Sequence, residues 1–409
     1  MNQEDLRRLY ARMRTLVVFR AVTEDPVVSR LVDVLGLAVG AQAGEGDDAG
    51  QGLAEAYSAF VYELFARGGC SLATYLQEVV LDDENVYLRQ VGAGETPHPA
   101  LVAAAQEELG GFSALAGLTP DDLLAPVAEP LRSTLARFEP AHLDLAATYR
   151  ARLADIHRFG YGIYARYHVF RLDQAGQIVA VHHPDPIRLS ALVDYDRQKQ
   201  VILDNTRALL AGRPAANILL TGDAGTGKSS TVKAVVNELA PEGLRILEVS
   251  KDQLQQIPQV LDELTRNPLR FVIFIDDLSF TSDDDNFAAL KAILEGSVSA
   301  KSDNVVIYAT SNRRHLVRET FSEREGDEVH LNDTLQEIVS LSDRFGIHLT
   351  FYKPDKATYL DIVHQLADVA GIRTDRGELD LLAERFATRR GGRSARGARQ
   401  FVDSLLAQG

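Results

Sequence analysis

The chain has 409 residues, 45% hydrophobic and 25% charged, which gives room for two or three domains and a large core. A formal net charge of -15 argues against a generally adhesive DNA-binding surface but leaves room for a local basic groove. A single cysteine, Cys70, excludes an intramolecular disulfide and any multi-cysteine zinc site; it is expected to be a small buried hydrophobe in a reducing cytoplasm. The opening mixture of acids and arginines is unlike a signal peptide. No uninterrupted apolar run is long enough to span a bilayer, so no membrane contact is expected.

Residues 1–158 read as a helical docking or regulatory domain, the surface through which a protein client would be met. Leu53, Ala56, Tyr57, Phe60, Val61, Leu64 and Phe65 fall on one apolar stripe. Thr119-Pro120-Asp121-Asp122 is a helix start, with Thr as cap, Pro in the first position and acids in the first turn. No catalytic pattern is evident in this half.

Residues 159–188 read as a β-hairpin and linker. Tyr161, Ile163, Tyr164, Tyr167, Val169 and Phe170 are followed by a turn at Asp173-Gln174-Ala175-Gly176 and then by Ile178, Val179 and Val181. The tyrosines, with Arg166 and Arg171, either form a strand's packing face or stack on single-stranded nucleic acid. His182-His183, followed by Pro184 and Pro186, marks the linker; adjacent histidines in extended chain point opposite ways and make a poor metal site.

Residues 189–354 carry the nucleotide chemistry. Asn217–Leu220 is a short apolar strand, and Gly222-Asp223-Ala224-Gly225-Thr226-Gly227-Lys228-Ser229 fits the phosphate-loop pattern G-x-x-x-x-G-K-[ST], with Ser230 opening the next helix. Glycines let the backbone bend so that its N–H groups face phosphate oxygens, and the helix adds the positive end of its dipole. Lys228 is expected on the β- and γ-phosphates and Ser229 on Mg²⁺. Further strands are read at Arg245–Val249, Phe271–Ile275, Val305–Thr310 and Ile347–Phe351. The second of these is apolar throughout, as in a parallel strand buried on both faces, and ends in Asp276-Asp277. Asp276 is the expected magnesium ligand, and Asp277 the residue that orients or deprotonates the attacking water. Val305–Thr310 leads to Asn312, placed to sense the γ-phosphate. Five strands alternating with helices give a doubly wound parallel α/β sheet, with the ligand at the strands' C-terminal ends.

Residues 355–409 read as a helical lid. Tyr359, Ile362, Val363 and Leu366 form one stripe, and Leu379, Leu381, Leu382 and Phe386 another. Five arginines between Arg389 and Arg399 either bind nucleic-acid phosphate or send one guanidinium into the nucleotide site.

This ordered set resembles the P-loop AAA+ ATPases over residues 189–409. Gly222–Ser229 matches Walker A, Phe271–Asp277 Walker B, and Asn312 sensor 1. Ser342-Asp343-Arg344-Phe345-Gly346 is similar to the arginine-finger segment of replication initiators and helicase loaders. Gly397-Ala398-Arg399 resembles sensor 2, with Arg399 the first match and Arg396 the reserve. Tyr195, after Asp194, sits where that superfamily contacts adenine. The whole chain resembles a bacterial family of AAA+ ATPases of uncharacterised function, on Ala211–Asn217, Asp276–Phe280 and Ser340–Gly346. The resemblance implies ATP and Mg²⁺ as cofactors, ATP hydrolysis driving a conformational switch or partner remodelling, and a homo-oligomer in which Arg344 acts on a neighbour; that hydrolysis is expected to be slow follows instead from the departure at Asp277. The alternative for Arg344 is a salt bridge to Asp343 or Glu337. A nucleic-acid-binding loader, weakly favoured by the loop Gly296–Lys301, and an ATP-binding scaffold with little hydrolysis are the competing functions.

The usual second Walker B acid is Glu; Asp277 is shorter by one methylene. Because an ångström-scale misplacement costs about a hundredfold in rate, Asp277→Glu is predicted to turn over faster in a steady-state phosphate-release assay. An unchanged or lower rate would count against that reading.

Overall fold

The computed structural model describes residues 1–41, 47–278, 285–295, 303–312 and 344–407. Ser279, Phe280, the loop 296–301, Arg313, Arg314, Glu337 and the run 340–343 lie outside the described residues. The chain divides into two compact units, Met1–Arg166 and Tyr167–Gly409.

The first unit is helical. Helices Pro26–Ala41, Asp47–Gly68, Leu72–Asp82 and Pro99–Ala116 enclose a core that includes Phe19, Tyr57, Phe60, Phe112 and Tyr149. Of the stripe read from the sequence, Leu53, Tyr57, Phe60, Val61 and Leu64 are buried, while Phe65, at its margin, is exposed. Thr119 caps the helix Pro120–Leu124 in a reciprocal box with Asp122. Glu108 is buried, and its carboxylate accepts from the successive amides of Val17 (2.7 Å), Val18 (3.1 Å) and Phe19 (2.9 Å). That contact satisfies the donors of a non-helical connection inside the core. Cys70, expected to be buried, is exposed, because it lies in the turn after the Asp47–Gly68 helix.

The second unit is built on a seven-stranded sheet in the order β2-β1-β4-β5-β6-β3-β7. The strands are β1 Val169–Leu172, β2 Ile178–Ala180, β3 Ile218–Gly222, β4 Leu244–Val249, β5 Arg270–Ile275, β6 Val305–Ser311 and β7 Ile347–Phe351. Strands β3 to β7 form a parallel five-stranded core, with β3 between β6 and β7. The hairpin β1–β2 extends the same sheet, β1 parallel to β4 and β2 antiparallel at the edge. The Asp173 carboxylate closes its turn by accepting from Ala175 and Gln177 amides at 2.8 and 2.9 Å.

The aromatic run before β1 is not all strand. Gly160 and Gly162 take positive φ (66° and 59°), and Ile163–Arg166 makes one helical turn. Tyr161 and Tyr164 are each 6% exposed, so neither is available to stack on a base.

The helices of this unit are α1 Asp196–Leu210, α2 Lys228–Leu239, α3 Ile257–Thr265, α4 Asp285–Glu295 and, in the lid, α5 Lys356–Val369, α6 Arg376–Arg389 and α7 Ala395–Leu406. The lid has its own core, with Tyr359, Val363, Leu379, Ala383, Ala398 and Phe401 buried. Leu381 faces solvent, one position off the α6 stripe.

Burial pushes the Asp83 carboxyl of the first unit up to about 6 from 3.8, against the bond it accepts from Asn85. The folded state therefore holds a proton that the unfolded chain releases first, and stability falls as pH rises from about 4 to about 6, then levels. Asp83→Asn is predicted to stabilise the chain by on the order of 1–2 kcal/mol at pH 7.5, allowing for residual solvation, and by little at pH 4. Thermal denaturation at the two pH values checks this.

Candidate functional site

The end of β3 cannot continue as ordinary chain. Gly222 has φ 138°, and a Cβ there would stand 2.0 Å from the Phe351 carbonyl oxygen of β7. Gly225 and Gly227 also adopt positive φ (78° and 93°). The loop turns over the sheet edge and enters α2, whose first residue is Lys228. Around Gly227 no atom lies within 4 Å of where a Cβ would be, so the loop faces open space there.

Lys228 is 5% exposed. Its ammonium donates to the carbonyls of Gly222 (2.7 Å) and Asp223 (2.8 Å) and to Asn312 Oδ1 (3.0 Å). Burial lowers its pKa, opposed by the carboxylates of Asp223, Asp276 and Asp277. Asn312 Nδ2 in turn donates to Asp277 Oδ1 at 2.6 Å. Ser229 Oγ donates to Asp276 Oδ1 at 2.6 Å. One hydrogen-bonded network thus spans the ends of β3, β6 and β5, and Lys228, Ser229, Asp276, Asp277 and Asn312 meet in it. Among the described residues no cluster of three or more His, Cys, Asp and Glu could hold a metal alone. A hydroxyl and a carboxylate are oxygen donors of the kind a magnesium ion takes, so Ser229 and Asp276 could hold one together with oxygens from a ligand.

Asp277 has φ 55°, in the left-handed region that Asp tolerates better than most residues, at a cost of about 1–2 kcal/mol for an ordinary side chain. Its amide is held by Thr310 Oγ1 at 3.0 Å.

A cavity of about 800 Å³ opens on this network, within the roughly 300–1,000 Å³ typical of small-molecule sites. Its walls come from the phosphate loop (Ala224 to Ser230), the two aspartates, the linker and the lid. Tyr195 lines it. Asp194 and Tyr195 both take positive φ (70° and 60°), and the Tyr195 hydroxyl donates to the Tyr352 carbonyl while its ring lies 4.8 Å from Phe351. Burial pushes that hydroxyl up to about 12, so it stays a donor. Arg396 and Arg399, one turn apart on α7, both line the cavity, and the Arg396 amide donates to the Gly225 carbonyl at 3.2 Å. Asp223 is exposed beside the cavity.

Arg344 is not among the cavity residues. It lies before β7, whose register sets Ile347 beside Ile218 and Phe351 beside Gly222. It therefore sits at the opposite end of the sheet from the phosphate loop, at least ~13 Å away along β7.

Several cavity residues were not singled out by sequence. Ile362 and Leu366 belong to a lid stripe that reads as pure core, yet they also wall the cavity, as do Leu192, Val193 and Arg188. Thr310 reads as an ordinary β-branched strand residue. The linker is fixed by Asn237 of α2, whose amide donates to the carbonyls of Asp185 and Ile187, both at 2.8 Å.

Residues 165–409 match the family described as "Protein of unknown function (DUF815)". No curated protein matches the chain. Among solved structures, the Thermotoga maritima RuvB Holliday junction branch migration motor is 16% identical, with a TM-score of 0.37 over 54% of this chain and 65% of that one. AMPPCP-bound DnaA from Aquifex aeolicus is 16% identical, with a TM-score of 0.39 over 55% and 67%. PCH-2 from C. elegans is 19% identical, with a TM-score of 0.33 over 46% and 51%. The chain thus spans about two thirds or less of these proteins. Among the described residues, no helix is long and apolar enough to cross a membrane.

The two ends of the loop make opposite demands. Gly222→Ala drives a Cβ into β7 backbone and is predicted to destabilise the chain by more than about 4 kcal/mol. Gly227→Ala meets only its positive φ and is predicted to cost about 1–2 kcal/mol. Chemical denaturation of the two variants side by side tests the contrast.

Proposed function

The chain belongs to the DUF815 family, and from its site we propose that it binds ATP with magnesium and hydrolyses it slowly to switch its own conformation or remodel a partner. What supports this is the single network joining Lys228, Asn312, Asp277, Asp276 and Ser229 at the floor of a cavity large enough for a nucleoside triphosphate.

In this reading the backbone of Gly222–Ser229 cradles the phosphates. Lys228 exchanges its bond to Asn312 for β- and γ-phosphate oxygens. Ser229 and Asp276 hold magnesium, which neutralises phosphate charge when bound. Asn312, no longer tied to Lys228, turns to the γ-phosphate and leaves Asp277 to orient water or take its proton. Arg399 and Arg396 approach the phosphates from the lid, so that lid position depends on nucleotide state. Tyr195, with Ile362 and Leu366, walls the base end. This linkage of linker, loop and lid is the element that a γ-phosphate would bias.

Arg344 lies too far from this chain's own phosphate loop to serve it. That distance supports a finger acting on a neighbouring copy, stabilising charge in the transition state and tying hydrolysis to a homo-oligomer. The helical unit 1–166 would then meet the client.

Binding of a fluorescent ATP analogue and phosphate release by the full chain test the reading. Lys228→Ala is expected to lose binding, and Asp277→Asn to keep binding while losing at least about 100-fold in turnover. Mixing Arg344→Ala with Lys228→Ala chains should restore activity that neither has alone. A wild-type chain that binds no ATP would overturn the proposal, and absence of complementation would remove the role in trans.

A further inference from the structure

We propose that Thr310 is a positioning residue that fixes the geometry of the magnesium-holding carboxylate, an inference that rests on the ATP–magnesium reading above. Thr310 is next to last in β6, the strand between β3 and β5, and is 2% exposed. Register pairs its own neighbour Ala309 with Ile275, the last residue of β5, and pairs Thr310 with Leu220 of β3. It therefore stands between the phosphate-loop strand and the first residues beyond β5.

From there it holds three successive residues. Its hydroxyl donates to Asp276 Oδ1 at 2.5 Å and accepts the Asp277 amide at 3.0 Å. Its carbonyl accepts the Leu278 amide at 2.7 Å. One hydroxyl has one proton to give and lone pairs to receive, so both side-chain bonds form at once and their directions are fixed. The amide bond secures the residue whose φ is 55°, a backbone state that persists only where its surroundings impose it.

The case for a functional bond comes from what else Asp276 touches. Its Oδ1 accepts from Ser229 Oγ at 2.6 Å, from Thr310 and from the Asp277 amide at 3.2 Å. Ser229 is also the hydroxyl the reading assigns to magnesium. When Ser229 turns to the metal, Asp276 loses that donor, and Thr310 is the side chain that keeps its rotamer. Every side-chain bond of Asp276 among the described residues falls on Oδ1, which leaves Oδ2 for the ion or its water. Carboxylate ligands of metals are commonly oriented by such a donor, whose loss typically costs about 10–100-fold in metal affinity or activity.

The experiment uses the full chain, Thr310→Val and Thr310→Ser. Valine keeps the volume and branching but neither donates nor accepts; serine keeps the hydroxyl. Affinity for a fluorescent ATP analogue is measured in EDTA and through a magnesium titration, with phosphate release alongside. Thr310→Val should leave the EDTA affinity within about twofold while the half-saturating magnesium concentration rises about tenfold and turnover falls about 10–100-fold. Thr310→Ser should return both to within about threefold of the wild type, because its hydroxyl can still donate to the Asp276 carboxylate and accept the Asp277 amide. A wild-type magnesium response in Thr310→Val, or a Thr310→Ser chain as impaired as Thr310→Val, would overturn the proposal. A wild type that binds the analogue with no magnesium response at all would instead remove the metal site beneath it, and this inference with it.

Discussion

A buried ammonium has to find three acceptors, and the unit Tyr167–Gly409 is arranged to supply them. Lys228 spends its three protons on two loop carbonyls and on Asn312. Two acceptors require the chain to wrap round the lysine directly after β3, which is why Gly222, Gly225 and Gly227 carry positive φ. The third requires the end of β6 to lie beside β3. The strand order, with β6 between the loop strand and the acid-bearing β5, meets that requirement and brings the carboxylates close enough to oppose the desolvation of the lysine.

The same sheet explains how the linker and lid are tied to the loop. β7 is an edge strand, and two outward carbonyls at its end are taken by side chains from the linker and α1: Tyr195 Oη donates to Tyr352, and Gln198 Nε2 to Thr350 at 3.0 Å. Those two carbonyls are thereby unavailable to an added strand, and the left-handed turn at Asp194–Tyr195 is held in place. Asn237 binds the linker to the far end of α2, while the Arg396 amide binds the lid to the loop at Gly225. A displacement of the loop is therefore felt at both walls of the cavity.

How much of this was legible in the sequence depended on whether the signal was local. The phosphate loop was legible because its glycines, lysine and serine are contiguous, and β5 because an apolar run ending in two acids is a short-range pattern. The hairpin turn was legible because Asp173 and Gly176 close it by themselves. That the hairpin joins the sheet through β4 was not, because β1–β4 pairing joins residues more than 70 apart and leaves no mark on either strand. Ile362 and Leu366 were hidden because one apolar face serves both the lid core and the cavity wall. Thr310 was hidden because a β-branched residue in a strand has a sufficient reason to be there without any site. The run from Tyr161 misled because β-propensity outweighed two glycines, which in fact stop the strand from starting before Val169.

The backbone at Asp277 offers one explanation for the shorter second acid of the Asp276–Asp277 pair, to be weighed against its reach. Asp277 lies at φ 55°, where a compact polar side chain is better tolerated than a longer one, so glutamate's extra reach is set against backbone discomfort. The two effects differ in size. An ångström-scale displacement of a group that orients water costs about a hundredfold, or about 2.7 kcal/mol of activation free energy. The left-handed backbone costs an ordinary residue about 1–2 kcal/mol, and that cost falls mainly on folding rather than on the reaction. Thr310 and Asn312 hold the Asp277 amide and carboxylate at once, so the backbone is imposed from outside and little of its strain can relax into the rate. If Asp277 orients water as proposed, reach dominates, and the short acid would lower turnover rather than serve as a requirement of the turn.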